Sequence, residues 1–292
     1  MLGEVWTVSE RTLLIDGDTI AFIAASACQH TIESAGGLVE PFARRVEGEV
    51  IVDNLIFTLK RDFKSETVRV FLSCASEKNW RLKVDPEYKS NRAGSVRPLL
   101  LAPLKEYLRH KYGAEHFAFL EADDAIGIHA TSEELVPGEK IVIGRDKDFK
   151  TIPGQHFQLK DVDDKGKPII REVSPMEAIM NHYVQALAGD AVDGYPGCPG
   201  IGMKRAREIV ENPEKLVAKD GVITRGKNKG QKVVKWHSAG PCSVWEAVVS
   251  QYEKAGLGEA EAIKTARLAK ILLAEDYNME THEVRLWVPG ED

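Results

Sequence analysis

The first apolar run, TLLID at residues 12–16, is short and closes on an acid, the pattern of a buried strand. The stretch after it, GDTIAFIAASA, reads as a helix, with Asp18 placed to cap its N-terminus. A long amphipathic helix is expected from about Pro41 to Phe63. TVRVFLS, FAFLEA and KIVIGRD are compact β-prone runs, each followed by helix or loop. Strands alternating with helices predict an α/β fold, a mostly parallel central sheet flanked by helices. QHFQLKDVDDKGKPIIREV reads as a hairpin turning at Asp163-Asp164-Lys165-Gly166. From about Ser174 the pattern becomes helical, in PMEAIMNHYVQALAGD, MKRAREIV, CSVWEAVVSQYEKAG and EAEAIKTARLAKILLAED, and EVRLWVP reads as a short last strand. The expected organisation is an α/β domain over 1–173 and a mainly helical region over 174–292, packed as one catalytic unit.

Composition narrows the class. A hydrophobic fraction of 43% and a charged fraction of 29% are those of a soluble globular protein. No apolar run is long enough to span a membrane, and MLGEVWTVSERTLLID lacks the apolar core of a signal peptide. Cys28, Cys74, Cys198 and Cys242 are scattered without a C-x-x-C pair, as reduced thiols of an intracellular protein would be. The net charge of -6 conceals clustering. Cations collect in Lys78–Arg97, in Met203–Arg207 and in RGKNKGQKVVK at Arg225–Lys235, a stretch that contains no acid.

Acids collect at the ends of the expected strands and helices: Asp16, Glu121 with Asp123 and Asp124, Asp146 with Asp148, and Asp190 with Asp193. In parallel α/β sheets, functional groups gather at the carboxyl ends of the strands. Glu121 and Asp124 share a face if a helix starts there, and Asp146 and Asp148 point the same way from extended chain. So many like charges require a cation, and an oxygen-only donor set selects Mg²⁺ or Mn²⁺ over zinc. Two such ions about 4 Å apart make the arrangement used for phosphodiester cleavage. The plain alternative is that the acids are solvated and cap helices.

Two segments suit a nucleic-acid backbone. In PGCPGIGMKRA, Gly197, Gly200 and Gly202 precede Lys204 and Arg205 at a helix start, a helix–hairpin–helix type grip on phosphates; a helix–helix connection would use the same residues. There is no Gly-Lys-Ser/Thr, so nucleotide hydrolysis is not expected. WRLKVDPEYKSNRAG interleaves Trp80, Arg81, Lys83, Tyr88, Lys89 and Arg92, which suits stacking on and neutralising a single strand.

LLIDGD, PEYKSNR, EADD, RDKDF and GDAVDGYPGCPGIGMKRA occur in the order found in the 5′→3′ exonuclease and flap endonuclease family, which the chain resembles over roughly residues 12–210. GKNKGQKVVKW and the terminal ARLAKIL extend the likeness to the exonucleases of T-seven-like short-tailed phages. The resemblance implies a PIN-like, FEN-type sheet, a helical arch at about 74–98 and a helix–hairpin–helix at about 190–210. It implies that Asp16, Glu121 and Asp123, with Asp124 beside them, hold a first metal ion, and that Asp146, Asp148, Asp190 and Asp193 serve a second. Tyr88, Lys89 and Arg92 would lie at the arch, with Lys89 and Arg92 acting on the scissile phosphate. Gly197, Gly200, Gly202 and Lys204 would hold duplex, with room for a K⁺. One departure is FLSCASEK, where many members carry an aspartate after the second strand; here Glu77 is the only nearby acid.

The implied activity is metal-dependent hydrolysis of duplex DNA from 5′ ends or flaps, and of RNA in RNA–DNA hybrids. The setting is phage DNA replication, primer removal and host DNA degradation in the cytoplasm of an infected bacterium, beside a replication polymerase. The alternative is a DNA-structure-binding protein of the same fold without a competent metal site. A PIN-like ribonuclease is disfavoured by the glycine turn.

Overall fold

A computed structural model of the chain describes residues 11–33, 37 and 39–290. The chain forms two compact units: Met1–Trp80, Gly94–Pro175 and Ile271–Arg285 make the first, and Arg81–Ala93, Met176–Lys270 and Leu286–Asp292 the second.

The first unit follows the alternation seen in the sequence. In order come β1 (Thr12–Asp16), α1 (Gly17–Ala27), β2 (Gln29–Glu33), β3 (Val39–Ala43), α2 (Arg45–Phe63), β4 (Thr67–Phe71), α3 (Leu101–Tyr112), α4 (Ala122–Thr131), β5 (Lys140–Gly144), β6 (Gly154–Gln158) and β7 (Arg171–Val173). The main sheet has the order β4-β1-β5-β6-β7. It is parallel except for β7, which returns antiparallel to β6 as the expected hairpin.

Period-two alternation divides β1 between two cores. Leu13 and Ile15 face α1, α2 and α3, packing with Ile20, Ala24, Val52, Ile56, Leu104 and Leu108. Leu14 faces the other way, onto Ala125 and Ile126 of α4 together with Phe71 and Val142. A strand buried on both faces must be apolar throughout, which is why TLLID has no interior polar residue. Each fully buried Leu or Ile here contributes about 1.5–3 kcal/mol of transfer free energy. In α2, Gly48, Val52, Ile56, Leu59 and Phe63 recur at helical spacing and are its buried positions.

Several local expectations change. Asp16, not Asp18, caps α1: Thr19 N–H donates to Asp16 Oδ1 at 3.0 Å. Asp18 instead accepts from Ser73 N–H at 3.3 Å and pairs with Lys105 Nζ at 2.9 Å. The helix expected from Pro41 starts at Arg45, because Pro41 is paired with Thr31 in the β2–β3 hairpin. FAFLEA forms no strand. Only Glu115 bridges to Phe71, and the chain then turns through Phe119 at φ +69°. EVRLWVP is likewise not a strand; a single bridge joins Val284 to Tyr277.

The second unit contains α5 (Pro175–Ala188), α6 (Met203–Glu211), a hairpin of β8 (Glu214–Val222) and β9 (Lys232–Pro241), α7 (Val244–Lys254) and α8 (Glu259–Ala269). Alanines at the helix contacts (Ala186, Ala206, Ala247, Ala262 and Ala266) are all fully buried, so the helices approach closely. Tyr252 crosses this core and donates its hydroxyl to Ala186 C=O at 2.6 Å. The hairpin was not expected in a segment read as helical. The segment expected as an arch contains three 3-10 turns, Ser76–Lys78, Trp80–Lys83 and Ser90–Arg92. No helix among the described residues is long and apolar enough to cross a membrane.

Candidate active site

In the first unit the carboxyl ends of β4, β1 and β5 lie side by side, since Asp16 is in register with Phe71 and Ile15 with Ile143. Asp16 ends β1, which lies between β4 and β5, and is 5% exposed. Its carboxyl is pushed up to about 6, by burial first and then by the charge of Asp18; hydrogen bonds from Thr19 oppose the shift and Asp146 adds to it. Asp16, Asp18 and Asp146 thus share one electrostatic neighbourhood.

Asp146 follows β5 and accepts from Asp148 N–H at 2.8 Å, capping a 3-10 turn at Lys147–Thr151. The two acids therefore sit on a capped turn, not on the extended chain expected. Asp146 is exposed and Asp148 half-buried.

Glu121 is the N-cap of α4 and forms a capping box with Asp124. Glu121 and Asp123 are half-buried, whereas Asp124 is fully buried. Asp124 Oδ2 accepts from the Trp80 indole N–H at 2.9 Å, and Oδ1 from Leu272 N–H at 3.2 Å. Asp124 is thus built into the protein interior, while Glu121 and Asp123 keep solvent access. At the position after β4, the Cys74 thiol is pushed up to about 11 by burial and then by Glu121 and Asp124, with a smaller push from Glu77. Cys74 therefore occupies the field of the α4 acids, and Glu77 is exposed on the adjoining 3-10 turn. Among the described residues, no three His, Cys, Asp or Glu side chains are gathered closely enough to hold a metal ion.

In the second unit, Asp190 Oδ1 accepts from Val192 N–H at 2.7 Å, and Asp190 and Tyr195 exchange backbone hydrogen bonds. Asp193 gathers three of the residues expected at nucleic acid. It accepts from Tyr88 hydroxyl at 3.0 Å, pairs with Lys89 Nζ at 3.3 Å and forms an ion pair with Arg92. Asn91 Nδ2 also donates to Ala191 C=O at 2.8 Å, an anchor the sequence pattern did not single out.

Three residues expected to face a single strand are interior: Trp80, whose indole is engaged by Asp124, Arg81 and Tyr88. Arg81 is 3% exposed and donates to Leu268 C=O at 3.0 Å and Lys270 C=O at 2.6 Å. Tyr88 is also buried, stacked against Tyr195 with ring centroids 6.3 Å apart. Its ring is thereby engaged inside the protein.

The glycine turn divides by function. Gly189 and Gly197 both have positive φ, and each leaves room for the other's backbone: a Cβ at Gly189 would lie 2.2 Å from Gly197 N, and one at Gly197 2.4 Å from Gly189 N. Gly197 is thus explained by packing. Gly200 has φ +78° with open space where a Cβ would stand, and Gly202 is also open. Gly202 caps α6 without a side chain, so the first N–H groups of that helix face outward with Lys204 and Arg205 exposed in its first turn. Arg205 pairs with Glu208 at 3.1 Å.

The chain is an α/β protein whose parallel sheet ends on acids and whose glycine turn leads into a cationic helix start. No family model matches the chain. It is 31% identical over 285 residues to the exodeoxyribonuclease of Enterobacteria phage T3, covering 95% of this chain and 92% of that protein. It is also 31% identical over 288 residues to the exonuclease of Escherichia phage T7, covering 95% and 93%. A flap endonuclease Xni of Shewanella oneidensis is 28% identical over 173 residues, covering 52% of this chain and 66% of that protein. Among solved structures, T5 5′-exonuclease with bound zinc is similar at 18% identity and a TM-score of 0.49, over 69% of this chain and 74% of that one. The chain belongs to the 5′→3′ exonuclease and flap endonuclease family, and it is a nuclease.

Proposed function

We propose that this nuclease removes nucleotides from the 5′ ends and 5′ flaps of duplex DNA, and RNA from RNA–DNA hybrids, with Mg²⁺ or Mn²⁺. The observation that carries the metal dependence is Asp16: a buried carboxyl raised to about 6 beside Asp18 and Asp146 is a position whose charge a cation would stabilise. The donors are all carboxylate oxygens, which fits a hard ion. Asp16, Glu121, Asp123, Asp146 and Asp148 are the residues we assign to it; as they stand no three of them are gathered closely enough to hold an ion, so their side chains would close around it as it binds. Bound there, the metal would lower the pKa of the attacking water and balance charge growing on the phosphate.

The remaining roles fall to side chains. Asp124 braces the start of α4 and so holds Glu121 and Asp123 in place. Asp146 shapes the turn that presents Asp148. Lys89 and Arg92, ordered by Asp193, would steer the scissile phosphate. Gly200, Gly202, Lys204 and Arg205 would hold duplex backbone by open N–H groups and charge, with K⁺ as a further ligand of that turn. The reading also takes residues 1–173 as the catalytic part and 174–292 as the DNA-binding part, working in an infected bacterial cytoplasm alongside a replication polymerase.

The test is hydrolysis of 5′-labelled duplex and flap substrates in Mg²⁺ and in EDTA. An Asp146→Asn/Asp148→Asn variant is expected to lose about 100-fold or more in single-turnover rate while keeping duplex affinity. Undiminished cleavage by that variant would overturn the assignment.

A further inference from the structure

Between α6 and α7 the chain runs out and back through β8 and β9, and most residues of both strands are exposed or half-exposed. From Glu214 to Pro241 it carries seven lysines and arginines against two acids, in a chain of net charge -6. The register sets Lys219 directly opposite Lys235. Like charges facing across two strands destabilise a sheet, and a two-stranded ribbon has little stability to spare.

The same face continues with Val217 opposite His237 and Gly221 opposite Val233, so no acid lies on it; Asp220 is on the other face. Gly221 makes room for a cation stem. A Cβ there would stand 3.1 Å from Lys235 Cδ. At the tip, Arg225, Lys227 and Lys229 lie in a loop closed by Gly230 N–H donating to Ile223 C=O at 2.9 Å and Ile223 N–H to Gln231 C=O at 3.0 Å. Among the described residues, Lys219, Arg225, Lys227, Lys229, Lys232 and Lys235 form no ion pair, whereas Lys215 at the base pairs with Glu246 at 3.5 Å.

The base is tethered. Leu216 N–H donates to Ser250 Oγ at 3.1 Å, and Cys242 N–H to Pro213 C=O at 3.2 Å, so the arm is fastened to α7 and to the chain leaving α6. It therefore presents its cations from a defined position in the second unit.

Unpaired cations held against their own repulsion call for a polyanion. Protein interfaces concentrate aromatic residues and arginine at their cores and are depleted in lysine. A duplex offers a dense row of phosphates that neutralises lysines regardless of sequence. We propose that the β8–β9 hairpin is a separate duplex-backbone contact, with Lys219, Lys227, Lys229, Lys232 and Lys235 on phosphates. This rests on the nuclease reading and adds to it. The hairpin governs how firmly duplex is held and leaves the bond-breaking step to the acids.

The test uses the full chain with Lys227, Lys229, Lys232 and Lys235 all changed to Gln, and a second variant with all four changed to Arg. Duplex affinity is measured across a salt series by anisotropy, and turnover at saturating DNA alongside it. Melting curves establish that each variant is folded. The Gln variant is expected to bind about tenfold or more weakly, with the slope of log affinity against log salt reduced by about 2–4. Its turnover at saturation should match the parent, and the Arg variant should keep the parental slope.

An unchanged slope in a folded Gln variant overturns the proposal. So does a variant that loses retention on polyglutamate but not on DNA, which would assign the arm to an acidic protein surface. A parent chain that binds duplex through these lysines but never cleaves it would overturn the nuclease reading alone. Failure of the parent to bind duplex at all would overturn both.

Discussion

Trp80 donates its indole N–H to Asp124 Oδ2 at 2.9 Å, and both side chains are buried. The contact joins the segment after β4 to the first turn of α4, where Glu121 and Asp123 stand. Removing the donor by Trp80→Phe deprives a buried carboxylate of a charge-assisted hydrogen bond, at a cost of about 1–3 kcal/mol. Asp124→Asn weakens the same bond from the other side. A double-mutant cycle in urea should show coupling of about 1 kcal/mol or more. Strictly additive costs would show that the pair does not act as a unit.

Asp193 holds Tyr88, Lys89 and Arg92 at once. Lys89 also adopts a left-handed backbone at φ 58°, which it keeps because its N–H donates to Asp193 C=O at 2.9 Å. Asp193→Asn removes the charge but not the backbone bond. Trypsin should then cut after Lys89 and Arg92 several-fold faster than in the parent, read by mass spectrometry of timed digests. An unaltered cutting rate at these two sites would mean that the segment is ordered without the carboxylate.

The parallel sheet was legible because a strand buried on both faces must be apolar, and Leu13, Leu14 and Ile15 meet that requirement within five residues. The strand-end acids were legible for the same reason, as charges placed where an apolar run stops. Which acid caps α1 was not. Asp16 and Asp18 both stand near the helix start, and the choice depends on Ser73 and Lys105, which engage Asp18 from distant segments. Arg81 and Tyr88 read as surface groups because their acceptors and neighbours, Leu268, Lys270, Tyr195 and Asp193, are remote in the chain. The β8–β9 hairpin was hidden by lysines and glycines that blur alternation; its strands follow from pairing with each other and from the anchor on Ser250.

Gly189 and Gly200 should respond differently to the same change. Gly189→Ala combines positive φ with a clash against Gly197 N, both on rigid backbone. The cost should reach about 3 kcal/mol or more, since neither strand of the turn can move alone. Gly200→Ala meets only the left-handed backbone penalty, about 1–2 kcal/mol, but adds a methyl group where the proposed phosphate approaches. Chemical denaturation should rank Gly189→Ala as the less stable, and anisotropy should show weaker duplex binding for folded Gly200→Ala. Equal destabilisation by the two would contradict the packing argument, and unaltered affinity for the second would contradict the phosphate grip.

Asp53 tests the acid side of stability away from the site. Burial pulls its carboxyl up, but hydrogen bonds from Lys111 Nζ at 2.7 Å, Tyr112 hydroxyl at 2.7 Å and Tyr107 hydroxyl at 3.0 Å outweigh it, so the group is held below its ordinary value. A carboxyl depressed in the folded state adds stability above its unfolded pKa and loses it as pH falls through the folded one. At pH 7 the contribution is fully present, and Asp53→Asn should lower the urea midpoint, by an amount equivalent to about 1–2 kcal/mol. Below pH of about 4, near the ordinary carboxylate value, the parent begins to lose that advantage and the difference between the two proteins should narrow. Parallel urea titrations at pH 7, 5 and 3.5 would measure it. A gap that stayed constant or widened on acidification would show that the three donors do not favour the charged form of Asp53.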